Sequence, residues 1–170
     1  PASPRRQRLV DVVVIAEGGP DQHAVRRAVA RRLAGRLDAV VVVEALGDHD
    51  HLHLALLTGN YRAAAEVKLT HFELWDFFEW GAFSDDSADR NSLVPIARQR
   101  AETYDVPAEA LERIIVIGDT PHDIECARVG GATSFAVATG GHSVEELRAA
   151  GADVVLADLS DTRTVLSLLI

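Results

Sequence analysis

The sequence lacks several features that would point to particular classes of protein. It contains one cysteine, Cys126, so neither an intrachain disulfide nor a cysteine-based metal site is expected. No run approaches the roughly 18 apolar residues of a membrane span, and no signal peptide is visible, which predicts a cytoplasmic location. The sequence contains no methionine, even as the first residue. Two explanations are open: the chain has been processed, or residues are missing from its sequence.

Positive charge is also scarce. The formal net charge of −9 argues against a nucleic-acid partner, because phosphate backbones require clusters of Lys and Arg. The sequence likewise predicts no membrane partner, and it carries no signal for an oligomeric state. With 170 residues, 48% of them apolar and 25% charged, the chain has the composition of one globular domain with a buried core.

Segments typical of strands and helices alternate over the second two-thirds of the chain, which predicts βα units around a parallel sheet. The predicted strands are 53–57, 113–117, 132–138 and 154–156, and the predicted helices are 62–69, about 89–104, 123–129, 143–150 and one that begins at 161 or 162. Further upstream, 9–15 is predicted to be a strand and 21–37 a helix. Residues 39–45 favour a strand by β-branching but precede another strand, so their assignment is open. The aromatic segment 72–83 is predicted to pack against the sheet edge, with substrate stacking as the alternative.

The most informative pattern lies at 113–123. A β-branched apolar run ends at Gly118, which frees the backbone to turn, and Asp119 and Asp123 follow. Two carboxylates four residues apart, at the carboxyl end of a parallel strand, suit a hard cation such as Mg²⁺. The alternative is that Asp119 caps a turn and Asp123 caps the next helix.

A second predicted strand ends in a complementary pattern. Thr58 follows strand 53–57, and its hydroxyl together with the N–H groups of Gly59 and Asn60 can cradle a phosphate. Lys68, one helix downstream, supplies a compact positive charge for the same anion or for a carboxylate nucleophile. Taken singly, a helix cap explains Thr58 and a solvated charge explains Lys68. In register with the aspartates, they favour a phosphate site beside a metal site.

These residues resemble the ordered motifs of the haloacid dehalogenase-like (HAD) hydrolase superfamily, and most closely its phosphoglycolate-phosphatase-like branch. The matching runs are Leu-Leu-Thr-Gly-Asn at 56–60, Lys-Leu at 68–69 and Gly-Asp-Thr-Pro-His-Asp at 118–123. Asp85-Asp86 with Asp89-Arg90, and the segment 151–159, are also similar to that branch. The resemblance covers about residues 50–160.

The resemblance implies a three-layer α/β/α, Rossmann-like core with a parallel sheet, formed by residues 1–170 as a single domain. It implies a Mg²⁺-dependent phosphatase of a small phosphorylated metabolite. In that family an aspartate attacks the phosphate monoester, forms an aspartyl-phosphate and is freed by water. Thr58, with Gly59 and Asn60, would bind the phosphoryl oxygens.

The resemblance also implies roles for the charged residues of the motifs. Lys68 would hold the nucleophile and the phosphate. Asp119 would ligate Mg²⁺, and Asp123 would be a direct or outer partner of the metal.

The start of the chain departs from the family pattern, which is a strand ending in Asp-x-Asp-x-Thr. The nearest match is Asp11, the candidate nucleophile and metal ligand, but Val13 stands where the acid/base should be and cannot transfer protons. Only 46 residues lie between Asp11 and Thr58, which predicts a reduced or missing helical cap with 16–46 as its candidate remnant.

Three explanations of this departure are open. Segments are absent from the sequence, or the chain is a catalytically inactive module that binds phosphate or metal, or its N-terminal region has been replaced, for instance by an altered reading frame. A dehalogenase is disfavoured because dehalogenation needs no metal. A phosphomutase uses the same core residues and stays open.

Overall fold

The computed structural model describes residues 12–16, 38–48 and 52–169, and the fold is stated for these residues. The strands are β1 (Val12–Ala16), β2 (Leu52–Leu57), β3 (Trp80–Ala82), β4 (Ile114–Gly118), β5 (Thr133–Val137) and β6 (Val154–Leu156). The helices are α1 (Asp38–Gly47), α2 (Arg62–Thr70), α3 (Leu93–Thr103), α4 (Pro121–Gly130), α5 (Val144–Ala149) and α6 (Thr162–Leu169). Short 3₁₀ turns span Trp75–Phe77, Arg90–Ser92 and Ala110–Glu112.

The strands form one sheet in the order β3-β2-β1-β4-β5-β6. β2 pairs parallel with β3, and β4, β5 and β6 pair parallel in turn. The predicted α/β class with a Rossmann-like sheet is therefore confirmed. Because β2 and β4 run in the same direction, the residues that follow them emerge at one edge of the sheet, the usual place for a ligand in such folds.

The strand between them, β1, runs the other way. Val12 lies opposite both Leu56 and Ile117, so β1 is antiparallel to β2 and to β4. For this strand the expectation of a parallel neighbour is wrong. A run of Val-Val-Val-Ile has no alternation of apolar and polar residues, so its pattern does not encode a face or a direction.

Helices cover both faces of the sheet, which confirms the three predicted layers. Alternate β2 residues divide between the faces, with Leu54 and Leu56 on one and Ala55 and Leu57 on the other. The first face packs against buried residues of α1, α2 and α6, namely Val42, Val43, Leu46, Ala65, Leu69, Val165, Leu166 and Leu169. The second packs against α3 and α4 through Leu93, Val94, Ala97, Ala101, Cys126 and Ala127.

The ambiguous segment 39–45 is helical, within α1. Val42 is 3% exposed and Leu46 is fully buried, so the helix presents an apolar stripe to the core. Helix propensity costs a β-branched residue only about half a kcal/mol, which is less than the gain from burying a Val or Leu side chain. The predicted helix 21–37 lies outside the described residues.

The aromatic segment 72–83 packs as predicted and also forms β3, an edge strand that its sequence did not indicate. Phe78, Trp80 and Phe83 are buried, and the Trp80 ring stacks on Tyr104 with centroids 4.9 Å apart. Across the three described ranges, no helix is long and apolar enough to cross a membrane.

Candidate active site

Two loops meet at the carboxyl edge of the sheet. The hydroxyl loop, residues 58–60, follows β2, and the carboxylate loop, residues 118–123, begins at the last residue of β4. With β1 between them, their backbones start roughly 10 Å apart, two strand spacings. Val12 opens β1 at this same edge, opposite residues that lie two positions before the hydroxyl loop and one position before the carboxylate loop. Asp11, the residue before it, lies outside the described residues.

Asp123 organises the carboxylate loop. Its Oδ2 accepts hydrogen bonds from the backbone N–H of Asp119 at 3.1 Å, from the N–H of Thr120 at 2.9 Å and from the Thr120 hydroxyl at 2.8 Å. Thr120 and Asp123 form a capping box at the start of α4. A Cβ on Gly118 would lie 2.4 Å from Asp123 Cγ, so only glycine permits this close return of the chain.

The other oxygen of Asp123 is engaged by Arg90. The guanidinium donates to Oδ1, and the side chains of Arg90 and Asp123 are 25% and 4% exposed. The Cys126 thiol donates to the Arg90 carbonyl at 3.0 Å and so fixes the Arg90 backbone against α4. Both oxygens of Asp123 therefore accept hydrogen bonds. Asp123 takes part in the capping box of α4, whose N-cap is Thr120, as the alternative to the predicted metal site proposed.

Asp119 is the buried carboxylate that projects from the same loop. It is 3% exposed and lies against Gly140, where a Cβ would stand 2.2 Å from Asp119 Oδ2. A second segment, after β5, therefore closes over this carboxylate. The position of Asp119 depends on a glycine that is distant in sequence.

The hydroxyl loop is built around Thr58, which is 3% exposed. Its backbone N–H donates to the Ala82 carbonyl of β3 at 3.0 Å. Its Oγ1 accepts from the Asn60 backbone N–H at 3.2 Å and from Asn60 Nδ2 at 2.8 Å. Thr58 does not cap α2, whose N-cap is Tyr61 without a side-chain hydrogen bond. The Asn60 N–H is thus occupied, and the backbone part of the predicted phosphate cradle reduces to Gly59.

Two basic residues approach this edge in different ways. Lys68 is exposed, and its Nζ donates to Asn60 Oδ1 at 2.7 Å. Arg90 lies between the two loops, because its Nη1 would be 3.1 Å from a Cβ on Gly59 while its Nη2 binds Asp123. Arg90, rather than Lys68, is the cation that contacts both loops.

Sequence reasoning assigned Arg90 no role, although it lies in a segment similar to the phosphatase branch. The only available signal was a basic residue beside Asp89 at the start of a helix. Asp89 Oδ1 accepts from the Asn91 N–H at 3.0 Å, so the 3₁₀ turn that presents Arg90 is capped locally.

An acidic turn after β3 braces the hydroxyl loop. Ser84 N–H donates to the Asn60 carbonyl at 3.1 Å. Asp86 accepts from the Phe83 N–H at 2.8 Å and from two nitrogens of Arg100 at 2.8 and 2.6 Å. The hydrogen bonds from Arg100 hold the pKa of the Asp86 carboxyl below its ordinary value. This turn therefore holds the Asn60 backbone in place.

The described residues fit part of a magnesium site. Among residues 12–16, 38–48 and 52–169, no group of three or more His, Cys, Asp or Glu side chains could hold a metal ion. Asp119 supplies the hard carboxylate oxygen that Mg²⁺ prefers, and such ions commonly take only one or two protein carboxylates, with water and substrate oxygens completing the octahedron. Asp123 already accepts four hydrogen bonds from the protein, so its first role is to hold the loop.

Comparison with known proteins supports this interpretation of the fold. Residues 93–162 match the family model described as HAD-hydrolase-like. A predicted phosphatase from Clostridium acetobutylicum is 23% identical with a TM-score of 0.59, over 74% of this chain and 57% of that one. A haloacid dehalogenase-like family hydrolase from Streptococcus pneumoniae is 21% identical with a TM-score of 0.61, over 78% of this chain and 59% of that one. No curated protein matches the sequence.

The chain spans less than two thirds of the length of either solved structure. At these identities the likeness to them is one of fold, whereas the match over 93–162 is one of sequence pattern and includes Asp119 and Asp123. The chain therefore has the HAD-like fold, and its carboxyl-terminal half carries the sequence pattern of HAD-like hydrolases.

Proposed function

We propose that the chain is a Mg²⁺-dependent phosphatase that acts on a small phosphorylated metabolite, in the phosphoglycolate-phosphatase-like branch of the superfamily and in the cytoplasm. The observation that carries the proposal is the bridge formed by Arg90 between the two loops. It brings a cation, a buried hydroxyl and a buried carboxylate to one sheet edge, which is the arrangement that phosphoryl transfer requires.

The phosphate end of the substrate would lie on the hydroxyl loop. The Thr58 hydroxyl and the Gly59 N–H donate to its oxygens, and Arg90 neutralises part of its charge. Asp119, with Asp11, would hold the Mg²⁺, which when bound withdraws charge from the phosphoryl oxygens. Asp123 positions Arg90 and Asp119 and does not touch the substrate.

The nucleophile in this proposal is Asp11. One of its carboxylate oxygens attacks phosphorus, the bond from phosphorus to the ester oxygen breaks, and the leaving alkoxide takes a proton from water. A second water then attacks the phosphorus of the aspartyl-phosphate, which releases inorganic phosphate and restores Asp11. The assignment rests on the position of Val12, its covalent neighbour, at the edge shared by both loops.

Val13 has a consequence for the range of substrates. Without an acid/base two residues after the nucleophile, the leaving group is not protonated by the protein. Phosphate esters with acidic leaving groups, such as aryl phosphates, should therefore be cleaved much faster than alkyl phosphates.

The test is hydrolysis of para-nitrophenyl phosphate by the full chain, with and without Mg²⁺. We expect turnover that needs Mg²⁺ and that falls at least about a hundredfold in Asp119→Ala, because several kcal/mol of charge stabilisation are lost. Asp158→Ala, which removes an exposed carboxylate that accepts hydrogen bonds from Ser160, is the matched control. Metal-independent turnover, or equal activity of Asp119→Ala and the control, would refute the proposal.

The second candidate function is a catalytically inactive module that binds phosphate or metal, favoured by Val13 and by the lack of an Asp-x-Asp motif. It predicts calorimetric binding of inorganic phosphate or Mg²⁺ with no hydrolysis of any phosphate ester. The two candidates are separated by turnover alone.

A further inference from the structure

We propose that Thr139, on the loop after β5, is an outer partner of the Mg²⁺ site. Its buried hydroxyl would accept a hydrogen bond from a water molecule of the ion that Asp119 would hold. Thr139 is then a positioning residue, because it contacts neither the substrate nor the ion. The proposal deepens the function proposed above and rests on it for the identity of the ion.

The first observation is the hydroxyl itself. Thr139 Oγ1 is buried and has no hydrogen-bond partner among the described residues. A buried hydroxyl without a partner costs free energy, so native structures seldom keep one unless a water, an ion or a ligand completes it. The oxygen offers two acceptor positions and one proton, so a water molecule can both donate to it and accept from it.

The second observation is the fixed backbone on which this hydroxyl stands. The Ala138 N–H donates to the Leu156 carbonyl of β6 at 2.9 Å, and the Thr139 N–H donates to the Val137 carbonyl at 2.9 Å. The second of these bonds closes a three-residue turn at the end of β5. Main-chain hydrogen bonds therefore set the position of Thr139, and its hydroxyl can change only its χ1 rotamer.

The third observation places Thr139 next to the residue that contacts Asp119. A Cβ on Gly140 would stand 2.2 Å from Asp119 Oδ2, so the backbone of Gly140 lies against that carboxylate. Consecutive Cα atoms are about 3.8 Å apart, so Thr139 lies one residue spacing from the contact. Asp119 is 3% exposed, and the buried carboxylate and the buried hydroxyl therefore belong to the same part of the sheet edge.

The composition of the metal site explains why the partner would be a water molecule. Residues 12–16, 38–48 and 52–169 hold no group of three or more His, Cys, Asp or Glu side chains that could bind a metal ion, so an ion on Asp119 would keep several waters. The protons of such waters need acceptors in a buried site. The Asp123 carboxylate already accepts four hydrogen bonds. Thr139 Oγ1 is a buried acceptor with capacity left.

Ser84 is the contrasting case within the same chain. Its Oγ is also buried and finds no hydrogen-bond partner in the described ranges. It follows β3, which lies three positions from β4 in the sheet, roughly 14 Å away. Ser84 therefore shares the unused hydroxyl of Thr139 but lies far from Asp119, which makes it an internal control.

Titration of the full chain with Mg²⁺ alone, followed through the amide signals of Gly140 and Gly141 in ¹⁵N-edited NMR, measures the affinity without a substrate. In Thr139→Val, which keeps the shape and removes the hydroxyl, we expect binding about tenfold weaker, as is usual when an outer partner of a metal is lost. Thr139→Ser, which keeps a hydroxyl, should retain most of the affinity. Equal affinities of Thr139→Val and the wild type would overturn the proposal.

Two control variants separate the hydroxyl from the fold. Thr133→Val makes the same substitution at the exposed start of β5, and Ser84→Ala removes the other buried hydroxyl. Both should bind Mg²⁺ like the wild type. A loss in either control as large as that in Thr139→Val would mean that the effect is not specific to Thr139, and would refute the proposal.

Urea unfolding gives a second readout that does not depend on activity. An ion that binds only the folded chain stabilises it by mass action, so Mg²⁺ should raise the urea midpoint. We expect a smaller rise in Thr139→Val than in the wild type and in Thr139→Ser. Equal rises in all three proteins would count against a role for the hydroxyl.

Hydrolysis of para-nitrophenyl phosphate by the same samples distinguishes this proposal from the function. Mg²⁺-dependent turnover with unchanged Mg²⁺ affinity in Thr139→Val would refute the role of Thr139 and leave the phosphatase standing. Weakened Mg²⁺ binding in Thr139→Val, with no turnover of any ester by the wild type, would uphold the role and refute the phosphatase. A wild-type chain that does not bind Mg²⁺ would refute both.

Discussion

The carboxylate loop and the hydroxyl loop leave the same sheet edge but satisfy their polar groups in opposite ways. In the carboxylate loop, one side chain, Asp123, receives four hydrogen bonds, three from its own loop and one from Arg90. In the hydroxyl loop, the hydrogen bonds run in a line from exposed Lys68 through Asn60 to buried Thr58, and one proton is left over. The carboxylate loop satisfies its own donors, whereas the hydroxyl loop keeps a donor that the proposed phosphate would use.

The two loops also differ in how deeply their charged groups are buried. Asp123 is almost fully buried against a partly buried Arg90, so removing either partner breaks a largely desolvated ion pair. Lys68 ends its chain in solvent, where water can replace any lost contact. The carboxylate loop should therefore be sensitive in stability, and the hydroxyl loop in binding.

The largest effect is expected from Asp123→Ala. It removes the ion pair with Arg90 and the acceptor of three loop donors from a buried position, and it should lower the free energy of unfolding by about 3–5 kcal/mol in urea titrations. Asn60→Ala, the matched truncation in the hydroxyl loop, should cost no more than about 1.5 kcal/mol. Glu125→Ala, which removes the exposed partner of Arg128 on the same helix, should cost less than about 1 kcal/mol. Similar losses of unfolding free energy in Asp123→Ala and Asn60→Ala would show that the two loops do not differ in their contribution to stability.

A smaller effect, on activity, is expected from Gly140→Ala. The new Cβ would stand 2.2 Å from Asp119 Oδ2 and must displace that carboxylate. A displacement on the order of 1 Å should reduce Mg²⁺-dependent hydrolysis by about a hundredfold. Gly141→Ala in the same loop is the control, because its Cβ meets no atom within 4 Å. Equal turnover of the two variants would show that Asp119 does not need its observed position.

The smallest effect concerns pH and the Asp86–Arg100 brace. The pKa of Asp86 is lowered in the folded state, so its charged form stabilises the fold at pH values above the ordinary pKa of 3.8. This contribution is lost as the pH falls through the lowered pKa. In Asp86→Asn the loss should be about 0.5–1 kcal/mol at pH 6, since the pair is partly exposed, and should vanish near pH 2. Urea midpoints at both pH values measure it. A loss that is the same at both would mean that the charge is not responsible.

Much of the fold follows from local pattern. The capping box of Ser143 and Glu146 at α5 and the left-handed Gly131 after α4 both follow from residue type, because each is determined by neighbours in sequence. The direction of β1 and the helical state of α1 do not, since both depend on which surface covers a uniform apolar run. For the same reason Thr58, Asp119 and Asp123 could be chosen as candidates from their motifs, whereas Arg90 and Gly140 carried no local signal.

The sequence by itself determined the α/β class, the order of most elements, and the presence of Thr58, Asp119 and Asp123 after predicted strands. These depend on periodicity and on turn chemistry, which act over a few residues. Only the tertiary structure decided that Arg90 joins the two loops, that Gly140 covers Asp119, and that Lys68 binds Asn60. Such contacts depend on the packing of segments far apart in the chain, and no local pattern records which side chains that packing brings within hydrogen-bond distance.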